Sequence, residues 1–187
     1  MSTFNETIRN YWKSGNPMFR LIMINLGIYL SLMLLRVFSS LSMAKGDFYS
    51  MEYNLLQFVG VHENLSDGWY YNLYTIILYQ FIHFDLFHIL GNMIFLYFFG
   101  QIFIHLLGSK RVIPTYLLGG VFGAILYVIV YNISPTLQSP IGGVLVGASA
   151  SIYGLSMAAV FYRPNFEVML FGSFRVKLIW IGAFFII

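Results

Sequence analysis

The sequence predicts an all-α protein, a polytopic bundle of membrane helices, and three observations carry that prediction. Of its 187 residues, 59% are hydrophobic and 9% charged, against roughly 25% charged in soluble globular domains. The mean hydropathy is +0.76. Apolar runs at 21–41, 86–107 and 112–133 are each long enough to cross ~30 Å of hydrocarbon, which takes about 20 helical residues at ~1.5 Å each. No polar, Pro-rich or low-complexity linker interrupts the chain and no repeat is visible, so one helical domain, 21–187, is expected behind a leader, 1–20. The chain has no cysteine, which excludes disulfides, thiolate nucleophiles and cysteine metal sites; any nucleophile must be a hydroxyl or a carboxylate. No cofactor is expected. The net charge of +3 gives no support to a nucleic-acid partner, because the basic residues sort by their position between apolar runs.

In the leader, Phe4, Ile8 and Tyr11 recur at helical spacing beside Arg9 and Lys13, the pattern of a helix lying in the membrane interface or of an ordinary surface helix. The first span could be misread as a secretory signal, since Ser42-Met43-Ala44 resembles a small-residue cleavage site. Its length, the polar leader before it and the apolar helices after it favour an uncleaved helix. Phe48, Met51, Leu55 and Phe58 then repeat the interfacial pattern beside Glu52 and Asn54. Trp12, Trp69, Tyr70 and Tyr71 fall at predicted boundaries, where aromatic rings favour the interface. The second and third spans follow. A shorter run at 147–162 reads as a fourth helix that can be short because protein surrounds it. A fifth starts near Val176, and its 12 residues to Ile187 cover about 18 Å, too little to span.

Arg9, Lys13 and Arg20 precede the first helix, Lys110 and Arg111 join the second and third, and Arg163, Arg175 and Lys177 join the fourth and fifth. That puts eight of the ten basic residues on one side. Only Arg36 and Lys45 lie on the other, in a stretch that also holds Asp47, Glu52, Glu63 and Asp67. By the positive-inside rule the N-terminus is expected in the cytoplasm, in a multi-pass arrangement suited to a bacterial plasma membrane.

Polar side chains within a bilayer are costly and need a reason. The second helix opens with His83-Phe84-Asp85-Leu86-Phe87-His88-Ile89-Leu90-Gly91-Asn92-Met93, placing His88 and Asn92 on one helical face. Both can donate hydrogen bonds, and both can equally serve as polar glue between helices. His83 and His105 lie nearer water, where structural roles are favoured. The fourth helix opens with Gly147-Ala148-Ser149-Ala150-Ser151-Ile152-Tyr153-Gly154. Its small residues read as close-packing spacers, and Ser149 alone is a weak signal. Topology sharpens it: the second and fourth helices both enter from the outer face, so Ser149, His88 and Asn92 start at similar depth. A hydroxyl facing hydrogen-bond donors is what acyl transfer needs, the serine attacking a carbonyl and the donors holding the oxyanion. A base is not evident, because His88 used as one would cease to be a donor.

Gln80-Phe81-Ile82-His83, His88 through Met93, and Phe98-Phe99-Gly100 resemble the second helix of rhomboid intramembrane serine proteases, and Gly147-Ala148-Ser149-Ala150 is similar to that family's Gly-x-Ser-Gly. The resemblance implies a six-helix fold of which five helices are present. It implies Ser149 as nucleophile, His88, Asn92 and the Ser149 N–H as oxyanion donors, Gly147 before the nucleophile, and Tyr153 as the ring that supports the catalytic histidine. There are three departures. Ala150 replaces a glycine, adding a methyl where the family's sixth helix packs; Ile104 stands where many members have glutamate; and the family's base lies on a sixth helix, beyond Ile187. The implied partners are transmembrane protein substrates admitted from the lipid bilayer. The competing reading is a rhomboid-like protein that binds membrane helices without cutting them, although such a binder needs no oxyanion donors. A transporter or channel is disfavoured, since Arg36 is the one charge within a span.

Overall fold

A computed structural model describes residues 15–62, 73–134, 143–170 and 174–186. The leader pattern, Trp12, and Trp69 to Tyr71 lie outside the described residues. Helix α1 (Pro17–Ser42) begins four residues before the expected 21, and the reason is its cap. Asn16 Oδ1 accepts from the Met18 and Phe19 N–H groups at 3.0 and 3.4 Å, and Pro17 takes the first helical position, where its missing N–H costs nothing. The second and third predicted spans, α4 (Leu86–Leu107) and α5 (Val112–Ile133), have the expected bounds. In α4, 44% of the apolar stretch is buried, against 17% in α1 and 22% in the stretch containing α5. Helix α4 is therefore the more central, and α1 and α5 turn most of their apolar surface outward, as lipid-facing helices do.

The predicted interfacial segment forms helix α2 (Lys45–Val59). Phe48, Met51 and Leu55 are half-buried as their spacing implied, but Phe58 is exposed and meets the Tyr74 ring at 5.5 Å. Arg36, the charge within a span, forms an ion pair with Glu52 of α2 and donates from Nη1 to the Phe84 carbonyl at 2.8 Å. A charge that would be costly near hydrocarbon thus ties α1 to α2 and to the entry of α4.

A short helix α3 (Thr75–Leu78) runs into a 3₁₀ turn at Tyr79–Phe81. Strand β1 (Val61–His62) pairs antiparallel with β2 (Val144–Leu145). Between the last two helices the sequence reading expected a simple loop and a helix from Val176. The chain instead forms β3 (Glu167–Leu170) and β4 (Phe174–Lys177), with Glu167 opposite Lys177, and α7 (Leu178–Ile186) starts only where the ladder ends. The opposite charges favour this register.

Helix α6 (Ser149–Tyr162) is 14 residues long, about 21 Å, short of a bilayer crossing. It is sheltered: Ser151, Ile152, Leu155, Ser156, Met157, Ala159 and Val160 are buried, and it packs chiefly on α5 and α4. Glycines set the α5–α6 approach. A Cβ on Gly154 would stand 2.8 Å from the Gly119 Cα, and one on Gly119 would stand 3.1 Å from the Gly154 Cα. The two backbones touch where neither carries a side chain. Ala150 sits on this seam, its methyl over Gly123, where a Cβ would come within 2.4 Å of it. The methyl that departs from the family pattern thus has a seat in α5.

Candidate active site

The site forms where the start of α4 meets the start of α6. Asp85 caps α4 by accepting the His88 N–H at 2.9 Å, which fixes the first turn of the helix. One turn on, Asn92 is buried and its Nδ2 donates to the His88 carbonyl at 2.8 Å. An amide nitrogen carries two N–H groups, so one is spent on the helix and one is left for the cavity.

Gly147 has φ of +105°, a conformation that residues with a Cβ rarely adopt. Space makes the same demand, since a Cβ there would lie 2.6 Å from both Cε1 and Nε2 of His88. The His88 ring therefore rests directly on the backbone that leads to Ser149. Because the left-handed residue breaks the helical path, α6 begins at Ser149 and not at 147 as the sequence reading had it. Ser149 N–H is then among the first-turn donors that have no intrahelical acceptor.

Phe87, His88, Asn92, Phe95, Ser149 and Tyr153 all line one cavity of about 390 Å³, completed by Gly91, Phe99, Ile152 and Ser156. The structure thus brings together the five residues expected at the site: His88, Asn92, Ser149 and Tyr153 line the cavity and Gly147 backs it. Ser149 and Tyr153, one turn apart on α6, also line a second groove of about 670 Å³ along α5, floored by Gly119, Gly123 and Gly154. Ser149 stands on the edge between the two. His105 is elsewhere, exposed and 5.5 Å from the Phe166 ring, and Ile104 packs against the core.

The neighbouring serine has other work. Ser151 is fully buried and donates from Oγ to Gln80 Oε1 at 2.9 Å. Gln80 in turn donates from Nε2 to the Ile76 carbonyl at 3.0 Å, and its own carbonyl accepts from the Tyr116 hydroxyl at 3.0 Å. Gly120 makes room for it, since a Cβ there would meet the Gln80 side chain at 2.1 Å. Tyr79 donates to the Gly120 carbonyl at 2.6 Å, and its own carbonyl accepts the Gly147 N–H at 2.8 Å. This network pins the 79–83 segment under the start of α6.

His83 completes it. The side chain is fully buried, and Nε2 accepts the Ala148 N–H at 3.3 Å. Its ring meets that of His88 edge-on, with centroids 4.9 Å apart. Burial, and then the neighbouring His88, push its pKa down to about 4, with the Phe81 backbone opposing them, so the ring is neutral at physiological pH. Sequence reasoning assigned His83 a bland role and passed over Tyr79 and Gly120. The available signal was two polar residues, Gln80 and His83, within a stretch otherwise apolar from Ile76 to Phe84.

Three long apolar helices, a short sheltered fourth and a polar site at one end of the bundle define a multi-pass membrane protein. Residues 70–187 match the Rhomboid domain, and the chain belongs to the rhomboid family. It is similar to RHOMBOID-like protein 12, mitochondrial, of Arabidopsis thaliana, with 28% identity over 148 residues. That match covers 74% of this chain and 43% of the plant protein, so the chain spans less than half of that relative's length. No solved structure matches the chain.

Proposed function

We propose that this chain carries the nucleophile and the oxyanion donors of an intramembrane serine endopeptidase that cleaves transmembrane proteins near the outer membrane face. The observation that carries the reading is that Ser149, at the N-terminal tip of α6, lines the same cavity as His88 and Asn92. In the proposed reaction Ser149 Oγ attacks a substrate carbonyl, and its proton passes to a general base, the histidine of the sixth helix that the family resemblance implies. His88, the free N–H of Asn92 and the Ser149 backbone N–H hold the oxygen that becomes negative. An intact substrate helix hides its carbonyls, so the substrate has to unwind locally before it reaches Ser149. The glycine-floored groove beside Ser149 and Tyr153 suits the sixth helix, because small residues let a neighbouring backbone come close. The N-terminus is proposed to be cytoplasmic, in a bacterial plasma membrane.

The test is covalent labelling of a chain extended through the sixth helix. A fluorophosphonate probe should modify Ser149; Ser149→Ala should abolish the adduct and Ser151→Ala should retain it, because the Ser151 hydroxyl is held by Gln80. Labelling that survives Ser149→Ala sinks the assignment. A folded chain that never labels, yet still captures membrane helices, points to the non-cleaving binder.

A further inference from the structure

The turn that precedes Ser149 is held from beneath by one segment. Its two consecutive amides are each accepted there: Gly147 N–H by the Tyr79 carbonyl at 2.8 Å, and Ala148 N–H by His83 Nε2 at 3.3 Å. The next amide is that of Ser149, which begins α6. Each peptide is planar, so these two hydrogen bonds hold the planes on either side of Gly147, and the Ser149 peptide follows directly on them. The same His83 ring lies edge-on to His88, whose Cε1 and Nε2 crowd the Gly147 Cα. One buried side chain therefore touches both halves of the site, the turn that aims Ser149 and the imidazole beside it.

We propose that His83 is a positioning residue of the reaction, a neutral Nδ1–H tautomer whose bare Nε2 accepts the Ala148 N–H and holds the Gly147–Ser149 turn against His88. This rests on the reading of Ser149 as nucleophile. A ring nitrogen that accepts a hydrogen bond carries no proton, so in the neutral ring the proton is on Nδ1. The role demands an acceptor at this point and nothing else that is peculiar to histidine. Glutamine supplies an acceptor from a side chain of similar reach, whereas alanine leaves the Ala148 N–H buried and unpaired. His83 never meets the substrate in this scheme, and its influence is confined to how well Ser149 and His88 are aimed. Small misplacements of a reacting group are expensive, costing up to about 10²-fold in rate for roughly 1 Å.

Two measurements test the proposal on the chain extended through the sixth helix. In steady-state cleavage of a transmembrane substrate, His83→Ala should lower kcat by about 10–10²-fold with KM within about twofold, and His83→Gln should recover most of the loss. Independently, ¹⁵N NMR of labelled histidine should show His83 with a protonated Nδ1 and an unprotonated Nε2 throughout the range from about pH 8 to about pH 5. The Ala148 amide should lose its exchange protection in His83→Ala and regain it in His83→Gln. An Nε2–H tautomer, or an Ala148 amide indifferent to both substitutions, overturns the proposal, and so does a kcat unchanged in a folded His83→Ala enzyme. The NMR arm needs no turnover, so a chain that proved inactive would refute the protease reading while leaving the His83 contact to be judged separately. Should His83→Ala fail to fold, the tautomer and the His83→Gln rates still decide.

Discussion

Truncating His88 or Asn92 to alanine removes a hydrogen-bond donor from the cavity that Ser149 lines, and the consequence depends on what the donor is for. A donor preorganised for a developing oxyanion is worth about 10²–10³ in kcat, or ~2.7–4 kcal/mol. Polar glue between membrane helices is worth only about 0.6–2 kcal/mol of stability, and its loss leaves the turnover of the folded enzyme nearly intact. The geometry favours the first outcome. Among the described residues the His88 ring meets the Gly147 backbone and the His83 ring, and Asn92 spends one N–H within α4. Each single substitution in the chain extended through the sixth helix should depress kcat far more than it raises KM, with a modest fall in melting temperature. The double substitution should fall short of the sum if both donors serve one oxygen, as proposed. Turnover within a few-fold of wild type in both single variants would return α4 to a packing role.

At the scale of the element, α5 and α6 meet along a seam of glycines, and the Ala150 methyl is set into it. A Cβ at position 123 would stand 2.4 Å from the Ala150 Cβ, with backbone behind it and no flexible side chain to yield. Gly123→Ala should therefore push the helices apart and destabilise by about 1–3 kcal/mol, the usual cost of overpacking. Ala150→Gly alone should be mild. Combined with Gly123→Ala it should restore most of the loss, a coupling measurable from the melting temperatures of the four chains. Additive effects would mean that the two positions are not in contact. Because Ala150 directly follows Ser149, the clash should also weaken fluorophosphonate labelling, and the double variant should recover it.

At the scale of the whole molecule, topology puts the starts of α4 and α6 at one end of the bundle and the starts of α5 and α7 at the other. The site therefore shares its end with Arg36 and α2, while the opposite end carries Lys110, Arg111, Arg163, Arg175 and Lys177. Arg111 also closes the last turn of α4, donating to the Leu107 carbonyl at 2.9 Å, where a cation complements the helix dipole. The charge asymmetry predicts that this basic end faces the cytoplasm. The cysteine-free chain suits the measurement: on intact cells an impermeant maleimide should modify Ser139→Cys and spare Ser109→Cys. The reverse pattern inverts the orientation and moves Ser149 to the cytoplasmic side.

Membrane residence, the positions of α4 and α5 and the pairing of His88 with Asn92 were legible in the sequence by itself, because hydropathy and helical periodicity are properties of neighbouring residues. The start of α1 was legible too, in Asn16 and Pro17, and was missed by following the apolar run alone. Other features were decided only by the tertiary structure. Ser149 and Ser151 look alike on one small-residue turn, and what separates them is Gln80, 71 residues away from Ser151. His83 is an ordinary loop histidine until the fold brings it to the Ala148 amide, 65 residues on. The Ala150 methyl is a departure in the sequence and a fitted contact in the bundle, since its seat is a glycine of another helix. The β3–β4 pairing likewise displaced the expected start of α7. For the two serines, His83 and Ala150 the deciding partner is distant along the chain, so its effect exists only once the helices have packed; β3 and β4 pair within a stretch of eleven residues, from Glu167 to Lys177.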